Sequence, residues 1–325
     1  MKRTDFISDK RVASMQKGAG LFIQRWEDLL HRGLQTVMVH DHELEMMAEQ
    51  QVDCGNGHIA RQIRLSKSEL SAELTPIWLD RICQALITAR ALQSIETFSL
   101  LQQLDILVQA GLRQQKKWLA DDSIKRDYFT VLSCKTESLE NLFQRTTYFQ
   151  RIQDGIFAQE VKYWHMSESA PKGQPLPGNR IELGYRYYPS ARPLRIEIED
   201  IFGIRPQKAI ISGVPDGATW QQQYRKVLRQ APWLSRQPVV LKNRLVQSRN
   251  DQAILTDASQ NSQLYFDNSY AATICSAFSA GQPFSIFAIA QGGQFNIRTL
   301  FRNGVGMAIE KDMIIRNVST QFQPQ

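Results

Sequence analysis

The sequence predicts an α+β fold, with a helical bundle at the N-terminus, a β-rich middle unit and a small α+β unit at the C-terminus. Three observations predict it. Residues 20–120 place apolar side chains three and four apart, with few glycines or prolines between them. After about residue 125 the pattern changes to short β-prone runs separated by turn signals. At 325 residues the chain is long enough for two or three cores, and division at 1–125, 126–202 and 203–325 follows these changes.

The first helix carries Phe22, Trp26, Leu29, Leu30, Leu34 and Val37 on one side, with Gln24, Arg25, Glu27 and Asp28 on the other. Thr75-Pro76 reads as a helix start, since threonine caps and proline suits the first turn. Its apolar stripe is Leu79, Ile82, Cys83, Leu86 and Ile87. A third helix uses Phe98, Leu101, Leu104, Leu107, Val108 and Leu112. Strands are expected at Tyr128–Cys134, Thr146–Ile152 and Ile156–Trp164, with a turn at Asp154-Gly155. Ser167–Gly178 reads as a loop. Ile181, Leu183, Tyr185 and Tyr187 then alternate toward one face of a strand. In the last unit Thr219–Gln230 is helical, ended by Pro232 and Pro238, and Val239–Leu241 and Ala253–Thr256 are strands. Asp267–Ser279 is a helix. Gln282–Ala290 and Phe295–Phe301 form a hairpin about Gly292-Gly293, and Val318–Gln325 is a loose tail.

Charge is unevenly spread. Residues 1–125 hold 16 Lys/Arg and 16 Asp/Glu, so residues 126–325 carry the whole excess of +7. Within 180–249 there are 13 basic residues, ten of them arginine, against 5 acidic ones. Arginine forks suit carboxylates and phosphates and stack on aromatic rings. The segment Ile181–Arg195, I-E-L-G-Y-R-Y-Y-P-S-A-R-P-L-R, concentrates that chemistry. Its binding candidates are Arg186, Tyr188, Arg192 and Arg195, with Arg205 and Arg225 beyond it. They suit a protein surface or, with Tyr185 and Tyr187 as stacking rings, a nucleic acid. The plainer reading puts the tyrosines in a seam and pairs arginines with Glu197, Glu199 and Asp200.

Catalytic and cofactor signatures are missing. There is no G-x-S-x-G, no G-x-x-x-x-G-K-[ST], and Gly18-x-Gly20 follows no strand. Cys134 with His165 and Cys275 with His165 are the two thiol–imidazole candidates, and both cysteines sit in apolar runs. His40-x-His42 and Cys54 with His58 supply zinc-type ligands. They read equally as a polar helix entry and a small buried thiol, so no metal and no cofactor is assigned. Four widely spaced cysteines, no leader pattern and no apolar run near 20 residues predict a cytoplasmic protein with no membrane partner.

Three landmarks resemble the region C-terminal to the zinc finger in bacterial SWIM zinc-finger family proteins. They are the helix Lys10–Leu34, Val52-Asp53 followed by His58–Arg61, and Y-Y-P-S-A-R-P-L-R at Tyr187–Arg195. Ala231–Leu234 and Thr256–Ser259 are further matching positions. The family's C-x-C…C-x-H finger is absent from this chain. The resemblance implies partnership with a MoxR-type AAA+ ATPase and a von Willebrand factor A-domain protein. The function expected is a non-enzymatic adaptor, with nucleic-acid binding through 180–249 as the alternative.

Overall fold

Phe22, Trp26 and Leu29 are buried where their spacing places them, on α1 (Asp9–Arg32). Leu30 on the same helix is exposed. The helix stops at Gly33, whose φ of +91° costs a glycine no Cβ clash. The computed structural model describes residues 2–33, 41–68, 76–119, 123–139, 142–171, 173, 175–192, 194–205, 208–215, 217–234, 236–249, 252–257, 263–291 and 294–316. Leu34, Val37, His40, Thr75, Pro193, Ser259, Gly292, Gly293 and the expected tail lie outside them.

The chain is α+β, with its helical region first. Helices α2 (Asp41–Asp53), α3 (Gly57–Ser68), α4 (Pro76–Gln93) and α5 (Leu100–Ala110) join α1 in a helical unit. That unit comprises Met1–Ala120 together with Pro189–Arg192 and Val227–Ser235. Its core includes Phe22, Trp26, Met47, Ile63, Trp78, Leu104 and Trp233. On α4 the buried stripe is only partly the expected one: Ile82 is in the core and Leu86 packs against it, but the other three expected positions are not. Trp78, Ile82, Ala85, Ala89 and Leu92 face inward, while Leu79 is 52% exposed and Cys83 and Ile87 are also outside. Alanines allow close helix approach, so the small residues hold the packed side.

The remaining residues form a β unit of two sheets. The first is antiparallel, with order β3-β2-β1-β4-β5, built from β1 (Lys125–Leu139), β2 (Leu142–Arg151), β3 (Phe157–His165), β4 (Arg180–Tyr187) and β5 (Ile196–Arg205). The second is a closed six-stranded barrel, β10-β11-β8-β7-β6-β9. Its strands are β6 (Gln237–Arg249), β7 (Gln252–Asp257), β8 (Gln263–Phe266), β9 (Phe284–Gln291), β10 (Gln294–Arg302) and β11 (Val305–Arg316). Pro238 belongs to β6, paired with Ile289, and does not terminate the preceding helix as expected. That helix, α6 (Gly217–Gln230), stacks Trp220 on Tyr224 and sets Trp220 against Phe295 of the barrel core. Helix α7 (Ser269–Ser279) is capped by Asn268, whose side chain accepts the Ala271 N–H at 2.8 Å.

Alternation divides each barrel strand. Ile286, Ala288 and Ala290 of β9 point into the barrel with Phe295, Ile297, Met313 and Ile315. Phe287 points out and, with Val240 and Phe301, packs on Leu132, Tyr148 and Phe157 of the five-stranded sheet. The two sheets therefore share a core, and the barrel covers the sheet's outer face at Leu132, Tyr148 and Phe157.

Candidate interaction surface

Strand β4 places its residues on two faces with different chemistry. Ile181, Leu183 and Tyr185 are buried with Phe129, Val131, Phe149, Ala158 and Ile196 on the inner face. The sheet curls over this core until the Gln159 N–H donates to the Leu194 carbonyl at 2.7 Å. Arg180, Glu182, Gly184 and Arg186 occupy the outer face, opposite Thr130, Tyr128 and Arg126 of β1.

A cluster of polar groups closes one end of the inner face. Tyr185 donates to Asp127 Oδ2 at 2.7 Å, and Arg151 Nη1 reaches the Tyr185 oxygen at 3.1 Å and Asp127 at 3.3 Å. Arg151 also holds Asp154, whose carboxyl is lowered by that guanidinium bond. Burial, then the bond to Asp127, raises the Tyr185 phenol above its ordinary range. A phenol held protonated in this way is a structural donor, not a base.

The outer face is laced with arginine. Arg180 lies over the Tyr128 ring at 4.2 Å, and Arg126 lies over Phe202 at 3.9 Å. Arg126 Nε donates to Glu182 at 2.6 Å, and Arg186 Nε donates to Glu199 at 3.1 Å. Tyr188 donates to Glu197 at 3.0 Å, with Arg195 over its ring at 5.0 Å. Burial and then the Glu197 charge push the Tyr188 phenol up to about 12. Most of this positive charge is matched by a carboxylate or a ring inside the chain.

Strand β5 edges this face. Two bulges interrupt its pairing with β4, one at Phe202 and one at Glu199. The first turns Phe202 outward onto Gly184, where a Cβ would come within 3.1 Å of the ring. Ile124 lies beside the same glycine. Ile201, Phe202 and Ile204 are 52%, 49% and 45% exposed on a strand that pairs with β4 on one side and, among the described residues, has on its other side only the bridge just before its start. Neither this strand nor its edge is among the elements expected from the sequence. The I-F-G-I run was its available signal.

The expected binding residues do not form one cluster. Arg186, Tyr188 and Arg195 share the outer face of β4 and its continuation, each engaged as above. Arg205 ends β5 opposite Arg180 and is exposed, and Arg225 is exposed on α6. Arg192 belongs to the helical unit with Pro189–Ala191. There Asp105 of α5, only 7% exposed, accepts the Ala191 N–H at 3.0 Å and a bond from Ser190. Burial pushes its carboxyl up to about 6. The stretch Pro189–Arg192 of the arginine-rich segment is thus part of the helical unit.

No family model, curated protein or solved structure matches this chain. The SWIM resemblance therefore rests on its short motifs alone.

Geometry also bears on the thiol–imidazole candidates. His165 is exposed and its Nδ1 lies 2.7 Å from the Ser167 hydroxyl. It sits opposite Leu142, whereas Cys134 sits opposite Thr147, which places them roughly 17 Å apart along the strands. Cys275 is sealed in the barrel core, and burial pushes its thiol up to about 12. Among the described residues no three His, Cys, Asp or Glu side chains are grouped to hold a metal ion. Among them too, no helix is long and apolar enough to cross a membrane.

Proposed function

We propose that this protein is a non-enzymatic adaptor that binds protein partners through the β5 edge and the uncovered outer face beside it. One observation carries the reading: three large apolar side chains, Ile201, Phe202 and Ile204, stand about half exposed on an open strand edge. Such edges are normally shortened, charged or covered, because unpaired backbone beside apolar side chains recruits other strands. Retaining one fits recognition by strand addition. A MoxR-type ATPase and a von Willebrand factor A-domain protein are the first partners to try, on the strength of the sequence resemblance.

Nucleic-acid binding is the second reading, favoured by the stacks of Arg180 on Tyr128 and Arg126 on Phe202. Against it, Arg126 and Arg186 are held by Glu182 and Glu199, and a phosphate would have to displace those carboxylates. A photo-activated cross-linking side chain placed at Phe202, with one at exposed Val305 as control, separates the two in cells. Protein adducts specific to position 202 are expected. Adducts to nucleic acid, or none above the control, would overturn the adaptor reading.

A further inference from the structure

Six residues at the end of β5, Asp200-Ile201-Phe202-Gly203-Ile204-Arg205, are complementary to themselves when read antiparallel. We infer that the free β5 edge pairs with the β5 edge of a second copy of this chain, in the register that sets Phe202 opposite Gly203. The inference rests on the protein-binding reading above and names its partner.

In that register Asp200 faces Arg205 of the second copy, Ile201 faces Ile204, and Phe202 faces Gly203. A twofold axis repeats each pair, as an isologous contact requires. Two pairs are favourable, opposite charges and two β-branched side chains, and the third sets Phe202, whose ring leans back over Gly184, against a glycine that offers no side chain to clash.

The faces agree as well. Ile201 and Ile204 align with Leu183 and Ile181 on the inner side. Phe202 lies outward against Gly184, and Gly203 aligns with the outward Glu182. Asp200 aligns with outward Gly184, and Arg205 with outward Arg180. From Asp200 to Arg205 the order is outer, inner, outer, outer, inner, outer, the same from either end. A regular strand would put opposed residues of this register on opposite faces. The extra residue of the bulge is what makes them match.

Space and chemistry bound the pairing. A Cβ on Gly203 would meet no heavy atom within 4 Å, so the position opposite an incoming Phe202 is open. The sequence continues with Pro206, a residue type with no N–H to donate to a ladder. Asp200 and Arg205 are both exposed, and although Arg205 is near enough to Glu182 to help lower its carboxyl, neither forms a close ion pair among the described residues.

Charge exchange tests the register itself. Sedimentation equilibrium of the full chain over a concentration series is expected to show a monomer–dimer equilibrium. Asp200→Arg and Arg205→Asp should each weaken the dimer about tenfold, because like charges then meet twice per interface. The double variant Asp200→Arg/Arg205→Asp should restore it, which a folding defect would not do. A monomer throughout, or a double variant no tighter than the singles, overturns self-pairing. In the cross-linking experiment, adducts of Phe202 with a different protein alone would defeat this inference and leave the adaptor reading standing. Absence of any protein adduct would defeat both.

Discussion

Phe129 and Phe202 belong to one sheet but lie on opposite faces, the first sealed from solvent and the second 49% exposed. Phe129 meets Phe149 and Tyr185 edge-on, at centroid distances of 6.1 and 5.2 Å. Phe202 is held from above by the Arg126 guanidinium and seated on Gly184. The inner ring is fixed by burial, which is strong and insensitive to salt. The outer ring is fixed by a charge and a bulge, which leave much of its apolar surface unsatisfied. One face of these strands carries the sheet's own core, and on the other the barrel covers Leu132 and Tyr148 while Phe202 stays exposed.

The largest expected effect comes from breaking the inner side. Phe129→Ala should cost about 3–5 kcal/mol, the loss of a buried ring plus its cavity. Phe202→Ala should cost under about 1 kcal/mol, its stack on Arg126 and little more. Urea denaturation of the two variants checks the contrast. Equal losses would mean that the outer ring is part of the core.

A buried and an exposed carboxylate repeat the contrast. Glu199, at the sheet edge, is served by Arg186, whereas Asp105 is served by the Ala191 N–H and Ser190. Two neutral donors do not offset desolvation, so its carboxyl titrates near 6 in the folded chain against roughly 3.9 unfolded. Between those values the folded state holds a proton that the unfolded state has released. Stability contributed by this group is therefore present below about pH 4 and lost as pH rises to about 6. Asp105→Asn keeps an acceptor for Ala191 and never ionises. It should stabilise the protein at pH 7 by about 1–3 kcal/mol and make no difference near pH 4. Denaturant melts at pH 4, 5, 6 and 7 would show this. A gain that does not vary with pH would mean that Asp105 is not ionising in place.

These contrasts were unevenly legible in the sequence. The alternation of Ile181, Leu183 and Tyr185 was plain, because period two survives on an unbroken strand. On β5 two bulges scramble that period, so Ile201, Phe202 and Ile204 could not be assigned faces before their pairing with β4 was known. On α4 the rule that large apolar residues mark the core chose Leu79 and Ile87, while alanines lined the packed side. Closure of the barrel depends on β11 meeting β8, and no local pattern encodes such a distant pairing. The arginine-rich segment was visible as composition. That Glu199 and Glu182 lie within bonding distance of its guanidinium groups was a matter of register alone.

The smallest effect expected on stability belongs to the pair that best represents the outer face. Arg186 and Glu199 are 22% and 27% exposed at their side chains, so water and salt both screen them. Arg186→Ala and Glu199→Gln should each cost less than about 1 kcal/mol, and a double-mutant cycle should return a coupling of about 0.5 kcal/mol that falls at high salt. The bulge that carries Glu199 is held by backbone pairing on either side, so it should persist without the ion pair. Coupling of several kcal/mol, unchanged by salt, would instead show that the outer arginines brace the sheet. The contrast between a face that builds the fold and a face left open to partners would then collapse at this strand.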